Sequence, residues 1–449
     1  MGKLFGTDGI RGVANRYPMT AEMALTLGRA VAHFFQKPGH RPQIILGRDT
    51  RLSGDMLESA LVAGICSQGA QAIRVGVLPT PGVAFLSRAW EADAGIVISA
   101  SHNPFEDNGF KIFDHGGNKL TPEQEAAIED LLFSQQEQAL IASPEEVGRA
   151  DRRDDAAPQY IAFLKRAFPP NVSLQDTRVV LDCAHGATVQ VAPETFRQLG
   201  AQVGVIFNEP DGKNINRQCG SQHLERLAQT VVDQRAAVGF AFDGDGDRML
   251  AVDERGTALT GDQMLAICAA FLKKEGRLQN NLVVRTVMSN IGLTSAFRGL
   301  GIDSVMTNVG DREVLQEMLA RGAMLGGEDS GHLIFLEHHT TGDGIITALQ
   351  LLAVMKKEGK PLSELAKIMQ VFPQTLINVE VKRRADTAEV PEVVKIIREV
   401  EQKLGPEGRV LVRYSGTQNI CRVMVEGPTA ELTEAYCREV AAVVQERLA

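Results

Sequence analysis

Three times along this chain, short Val/Ile-rich strands separated by helical stretches run into a polar loop rich in Gly, Asp or Ser. The first block is Gln43–Leu46, Ala72–Val77 and Gly95–Ile98, ending at Ser99-Ala100-Ser101-His102-Asn103. The second is Arg178–Asp182, Gln202–Ile206 and Ala237–Phe242, ending at Asp243-Gly244-Asp245-Gly246-Asp247. The third is Leu282–Arg285, Asp303–Met306 and Ala323–Leu325, ending at Gly326-Gly327-Glu328-Asp329-Ser330-Gly331-His332. Ligands of open α/β sheets bind beyond the carboxyl ends of the strands, so these loops are where chemistry is expected. Aromatic residues are only 5% of the chain. Val, Ile, Leu and Ala must therefore build the cores, which suits strands covered by helices on both faces. Residues 20–37 predict the first helix, with Thr20 as cap, Met23, Leu27, Val31 and Phe34 on one face, and Pro38-Gly39 as the stop.

From about residue 375 the order changes to strand (Leu376–Val381), helix (Pro391–Leu404), strand (Arg409–Val412), strand (Ile420–Val425) and helix (Glu431–Leu448). Two strands joined by a short loop pair antiparallel, which predicts a small α+β unit. The expected class is α/β: three similar α/β domains with mixed sheets sandwiched by helices, plus a smaller C-terminal α+β domain. Breaks near Ser143–Pro158, Asp253–Gly256 and Phe372-Pro373 divide the chain into 1–155, 156–254, 255–370 and 371–449.

A net charge of −9 argues against a nucleic-acid partner, which calls for a basic face. It leaves anionic small molecules open, since a few arginines focused in a cleft hold phosphate whatever the overall sign. No apolar run approaches the roughly 20 residues that span a bilayer, so no membrane partner is expected. Cys66, Cys183, Cys219, Cys268, Cys421 and Cys437 are scattered without a CxxC pair. With no signal region at Met1–Gly6, they point to the reducing cytoplasm.

The Asp243–Asp247 loop says most. Carboxylates at alternate positions with glycine between them let the backbone curl until three oxygens converge on one hard cation. An EF-hand is the rival, with Glu254 at its twelfth position. It fails because Arg248 stands where the sharp turn needs glycine, and because strands flank the loop. Ser101 admits three readings: nucleophile, phosphoryl carrier or turn residue. The GxSxG elbow is absent, and His102, as the next residue of an extended chain, is expected to point away from Ser101. Phosphoryl chemistry fits best if the aspartate loop brings a cation beside the serine. Glu328 and Ser330 have the groups to bind sugar hydroxyls, and His332 to move a proton. Arg413-Tyr414-Ser415-Gly416-Thr417, with Arg422 on the next strand, reads as a phosphate cradle or as an ordinary hairpin turn. Gly6-Thr7-Asp8-Gly9-Ile10-Arg11-Gly12 is a further Gly-rich loop carrying an arginine.

Four separated segments, SASHNPFEDNGFKIF, DGDGDR, GGEDSGH and RYSGT, occur in the order of the α-D-phosphohexomutase superfamily, which the chain resembles along nearly its whole length. FGTDGIRG, GRDTRLSG, PDGKNINRQCGSQH, TVMSN, VGDR and RVMVEG resemble the branch acting on glucosamine phosphates more than the mannose- or glucose-phosphate branches. The resemblance implies four domains and cytoplasmic interconversion of glucosamine 6-phosphate and glucosamine 1-phosphate, toward UDP-N-acetylglucosamine. It implies one Mg2+ per active site, held by Ser101, Asp243, Asp245 and Asp247, with Ser101 as the phosphoserine. A glucosamine or glucose 1,6-bisphosphate would serve as intermediate or activator. Glu328 and Ser330 would contact the sugar; Arg413, Ser415, Gly416, Thr417 and Arg422 would hold the distal phosphate. Lys111, Arg248, His102, His332 and Arg11 would surround the reacting group. The pattern departs at Gln418-Asn419, where Glu-Pro is usual, at Asp329 and at Glu313. The alternatives are a phosphomannomutase or phosphoglucomutase with the same chemistry, or a catalytically idle sugar-phosphate-binding regulator. A homodimer is left open.

Overall fold

Strands β1 (Ile10–Val13), β2 (Gln43–Arg48), β3 (Gln71–Val77), β4 (Ala94–Ile98), β5 (Asp107–Asp114) and β6 (Ala150–Arg152) form one sheet, ordered β1-β5-β4-β2-β3-β6. The computed structural model describes residues 4–6, 8–134, 141–382, 389–414 and 419–448. Strands β7 (Arg178–Asp182), β8 (Gln202–Ile206), β9 (Val238–Phe242) and β10 (Met249–Asp253) follow as β10-β9-β7-β8. Strands β11 (Leu282–Thr286), β12 (Asp303–Thr307), β13 (Leu325–Gly327) and β14 (Leu333–Phe335) follow as β12-β11-β13-β14.

One order recurs in all three. The block's first strand lies between its second and third, and a fourth strand returns antiparallel beyond the third. The repeat was legible; the fourth strand was not foreseen in the first and third blocks. A second correction concerns the third block, whose third strand is Leu325–Gly327, so Gly326 and Gly327 belong to a strand and not to the loop. Two glycines read as a turn, yet here they permit close packing: a Cβ on Gly326 would come within 2.6 Å of Met318 Sδ.

The first helix runs Ala21–Phe34, with Thr20 Oγ1 accepting from Met23 N at 3.2 Å, and it stops short of Pro38. It packs on the helix Gly54–Ser67 over the buried Leu27, Val31, Leu57, Leu61 and Ile65. These side chains share one core with Ile44 and Leu46 of β2 and Ile96 and Ile98 of β4.

The chain divides into two compact units, Met1–Val287 with Val305–Ala366, and Met288–Ser304 with Lys367–Ala449. The second unit holds β15 (Gln374–Glu380), β16 (Arg409–Tyr414) and β17 (Ile420–Glu426), ordered β15-β17-β16 and antiparallel throughout. Helices Pro391–Leu404 and Ala430–Leu448 cover it, and Val379, Val400, Val423, Cys437 and Val444 form its core. The helix Ile291–Leu300 belongs to this unit, although it is read from the middle of the third block. Among the described residues no helix is long and apolar enough to cross a membrane. All six cysteines are unpaired.

Candidate active site

β9 is buried along its whole length and delivers Asp243 at its carboxyl end; β10 carries the chain straight back, with Met249 opposite Phe242. The aspartate loop is therefore a tight turn between two strands. Asp243 Oδ1 accepts from Gly246 N at 3.0 Å and Arg248 N at 3.2 Å. A Cβ on Gly244 would lie 2.5 Å from the Ser101 carbonyl oxygen, so only glycine lets the two loops touch. One carboxylate oxygen from each of Asp243, Asp245 and Asp247 lies within 4.8 Å of the others, and all three residues are buried. Asp245 Oδ1 and Asp247 Oδ1 have no hydrogen-bond partner among the described residues. Hard anionic oxygens left unsatisfied in a buried pocket fit a divalent cation.

The electrostatics agree. Burial, and then the negative charges of Asp247 and Asp245, push the Asp243 carboxyl well above the usual range. Burial opposes ionisation of Asp245 as well, but Lys111 Nζ at 2.8 Å and the Thr80 hydroxyl at 2.5 Å outweigh it and hold that carboxyl low. A cation held by the three carboxylates would favour the ionised form of Asp243.

β4 ends in the serine loop. Ser101 is 1% exposed and sits in the left-handed region at φ +51°. Its Oγ lies 2.6 Å from Asp243 Oδ2. It also lies 3.3 Å from His102 Nδ1, which corrects the expectation that His102 points away. That expectation assumed extended backbone, and the left-handed turn at Ser101 swings the next side chain back. Arg248 donates to the same His102 nitrogen at 3.2 Å. Burial, followed by Arg248 and Arg11, pushes the His102 pKa down to about 4, so the ring is neutral at physiological pH.

Lys111, on β5, is 2% exposed. Its ammonium lies 2.8, 3.0 and 3.1 Å from Asp245, Asp247 and Asp8. Burial lowers its affinity for a proton, but these three carboxylates prevail and raise its pKa well above the ordinary lysine value. Asp8 also pairs with Arg11 and Lys119, and Lys119 reaches Asp311. Asp8, Thr80, Lys119 and Asp311 were not among the expected site residues. Asp8 and Asp311 lie within the family-like segments FGTDGIRG and VGDR, but Lys119, which joins them, is more than 100 residues from each in sequence.

In the loop after β13, Glu328 is buried and its Oε1 accepts from Gly310 N at 3.1 Å. His332 is buried against Gly342, with Nε2 3.8 Å from Asp311 Oδ2 and both ring nitrogens without a hydrogen-bond partner among the described residues. Ser330 is exposed at the loop tip. Asp329, one of the departures, has a local reason: its Oδ1 accepts from Asp262 N at 3.1 Å, at the start of the helix Gly261–Lys274.

In the second unit Arg413 lies in β16 directly opposite Arg422 in β17, and is thus a strand residue and not a turn residue. The Nε of each is buried without a partner among the described residues. Burial, then the charge of Arg422, lowers the Arg413 pKa, so an anion between them relieves both. Ser415, Gly416, Thr417 and Gln418 lie outside the described residues; Asn419 is exposed.

Four family descriptions cover the chain. Residues 2–139, 158–256 and 260–372 match alpha/beta/alpha domains I, II and III of phosphoglucomutase/phosphomannomutase, and residues 376–443 match its C-terminal domain. The chain is 64% identical over 448 residues to a phosphoglucosamine mutase of Syntrophus aciditrophicus, covering 100% of each. It is 57% identical to the phosphoglucosamine mutase of Syntrophobacter fumaroxidans, covering 99% of each. Its fold resembles the crystal structure of a putative phosphomannomutase from Thermus thermophilus, with TM-score 0.80, 25% identity and 98% of each chain covered.

Proposed function

The chain belongs to the phosphoglucomutase/phosphomannomutase family, and from that premise we propose that it interconverts glucosamine 6-phosphate and glucosamine 1-phosphate in the cytoplasm. The observation that carries the chemistry is Ser101 Oγ standing 2.6 Å from a carboxylate of the three-aspartate cluster. Asp243, Asp245 and Asp247, with the Ser101 phosphate, would hold one Mg2+. When bound, that ion neutralises charge on the transferring phosphoryl group.

The phosphoryl group starts on Ser101. Its P–Oγ bond breaks as a bond forms from phosphorus to the free sugar hydroxyl, whose proton leaves to a base. The product is a 1,6-bisphosphate. After this reorients, its other phosphate returns to Ser101, and the sugar oxygen takes a proton back. Lys111 and Arg248 stay charged beside the site and offset the negative charge of the moving group. His332, on the same loop as Glu328 and Ser330 and with neither ring nitrogen hydrogen-bonded among the described residues, is the group we assign to take the hydroxyl proton. Arg413 and Arg422 would bind the distal phosphate as a pair, with Ser415, Gly416 and Thr417 completing the cradle. We take the domains to be 1–155, 156–254, 255–370 and 371–449.

A coupled assay for glucosamine 1-phosphate, run beside the mannose and glucose phosphates with and without Mg2+, tests the reading. The expected outcome is Mg2+-dependent turnover fastest on the glucosamine substrate, with phosphate found by mass spectrometry on the peptide containing Ser101. Retained turnover in a folded Ser101→Ala variant removes Ser101 from the mechanism.

A further inference from the structure

We propose that Arg51 and Asn216 are positioning residues for phosphoryl transfer: together they clamp the backbone of the serine loop and lock it to the aspartate loop. The positioning role rests on the mutase reading above; the clamp itself does not. Neither side chain reaches Ser101 Oγ or an aspartate of the cluster. Both grip the backbone carbonyls behind them.

Arg51 is 1% exposed, so every one of its donors must be satisfied inside the protein. Its Nε donates to Asp49 Oδ2 at 2.8 Å. One terminal nitrogen donates to the carbonyls of Ser101 at 3.0 Å and Asn103 at 2.8 Å. The other donates to the carbonyls of Asp107, at 3.0 Å, and Pro104. A single guanidinium thus holds four carbonyls of the loop that carries Ser101. Lysine has the charge but not the planar fork.

The other end of the Ser101 backbone is held by the same circuit. Ser101 N donates to Ser99 Oγ at 3.1 Å, and Ser99 Oγ donates to Asp49 Oδ2 at 2.5 Å. Asp49 pairs with Arg51, and Arg51 returns to the Ser101 carbonyl. The ring of bonds closes on the one residue that must keep φ at +51°. A non-glycine residue holds that conformation only when its surroundings impose it.

Asn216 comes from the second block. Its Nδ2 donates to the same two carbonyls, Ser101 at 2.8 Å and Asn103 at 3.0 Å. It adopts a left-handed φ of +58° itself, and its N–H bonds to Ala184 O at 3.0 Å, just after β7. A Cβ on Gly244 would meet both the Ser101 oxygen and Asn216 Nδ2, so the aspartate loop lies directly on this junction. The serine from one sheet and the carboxylates from another are therefore registered through shared carbonyls. This gives a task to two segments, GRDTRLSG and NINRQCG, that the chemistry above leaves unused.

The test uses the full-length protein with Asn216→Gly and Asn216→Asp, which both tolerate the left-handed backbone while removing the donor, and with Arg51→Lys, which keeps the buried charge. Two quantities are read: deuterium uptake of the peptide spanning 99–110, without substrate, and steady-state constants on whichever sugar phosphate the protein turns over. Faster uptake confined to that peptide is expected, with kcat lower by on the order of 10- to 100-fold and KM within about twofold. Unchanged uptake in both Asn216 variants overturns the clamp. Faster uptake with unchanged kcat overturns its positioning role. A wild-type protein inactive on glucosamine phosphates overturns the substrate reading alone, because the uptake measurement needs no sugar.

Discussion

Asp243 is asked to carry a charge that its surroundings oppose, and the metal-free protein bears the cost. The like charges of Asp245 and Asp247 sit beside it, and burial removes the water that would screen them. Asn at this position keeps an oxygen for the N–H groups of Gly246 and Arg248 while removing one of the three charges. Asp243→Asn is therefore expected to melt at the same or a higher temperature than the wild type in EDTA. Mg2+ is expected to raise the melting temperature of the wild type and not that of the variant. A concentration-dependent Mg2+ shift preserved in the variant contradicts the assignment of this cluster. His339 makes a pH-dependent contribution of its own. Its Nε2 bonds to Pro81 O at 2.8 Å and its Nδ1 accepts from Thr340 N at 2.8 Å, an arrangement that needs a neutral ring. Burial holds its pKa down to about 4. Between that value and the ordinary histidine value, the unfolded chain binds a proton that the folded one refuses, so stability falls as pH drops through the window. Urea titrations should show the wild type losing about 2 kcal/mol more than His339→Gln between pH 7 and pH 5. At this scale the sequence was informative about residue types and poor on direction. The aspartate cluster follows from local spacing and the singling out of Ser101 from the family resemblance; the orientation of His102 depended on one dihedral angle that no spacing encodes.

The helices Ala21–Phe34 and Gly54–Ser67 meet where each carries a glycine. A Cβ on Gly64 would fall 2.0 Å from Leu25 O, and one on Gly28 2.5 Å from Leu61 O; backbone cannot yield as a flexible side chain does. Gly64→Ala should cost about 1–3 kcal/mol by chemical denaturation, despite the better helix propensity of alanine. Gly299, inside the helix Ile291–Leu300, has nothing within 4 Å of its would-be Cβ. Gly299→Ala should stabilise by roughly 0.5–1 kcal/mol, and a pair of variants behaving alike would sink the close-packing account. Elements with a clean period were legible: the Thr20 cap and the helix Pro391–Leu404 stand where periodicity put them. β5 was not. It is central, paired to β1 on one side and β4 on the other, yet it carries Asn108, Gly109 and Lys111. Those residues break the apolar run that marks a buried strand, because Lys111 pairs with Asp245 and Asp247 and Asn108 bonds to Ser53 Oγ at 2.8 Å. Buried polar pairing erased the folding signal there.

At the scale of the whole chain, the second unit is discontinuous. Its C-terminal sheet is joined by residues 288–304, which lie far earlier in sequence. Arg409 donates to Ser289 O at 2.6 Å and pairs with Glu426, which in turn accepts from Ile291 N at 3.1 Å. Asn290 exchanges bonds with Phe372, giving to its oxygen at 2.9 Å and receiving from its N–H at 3.1 Å. A fragment 367–449 should therefore gain about 1.5–3 kcal/mol of stability when the peptide 288–304 is supplied in trans, read by denaturation with and without peptide. No change would place that segment with the other unit. This connection was invisible in the sequence, since the third block reads without a break and contact between distant segments leaves no local pattern.

A ribosome making this protein emits residues 288–304 before any strand of the C-terminal sheet to which Ser289 and Ile291 are bonded. With translation at about 5–20 residues per second, that stretch waits several seconds with its buried face uncovered until the last strands emerge. Slow codons or a stall after residue 366 would lengthen the wait, so the yield of active enzyme should depend on the tempo of synthesis over the final part of the message.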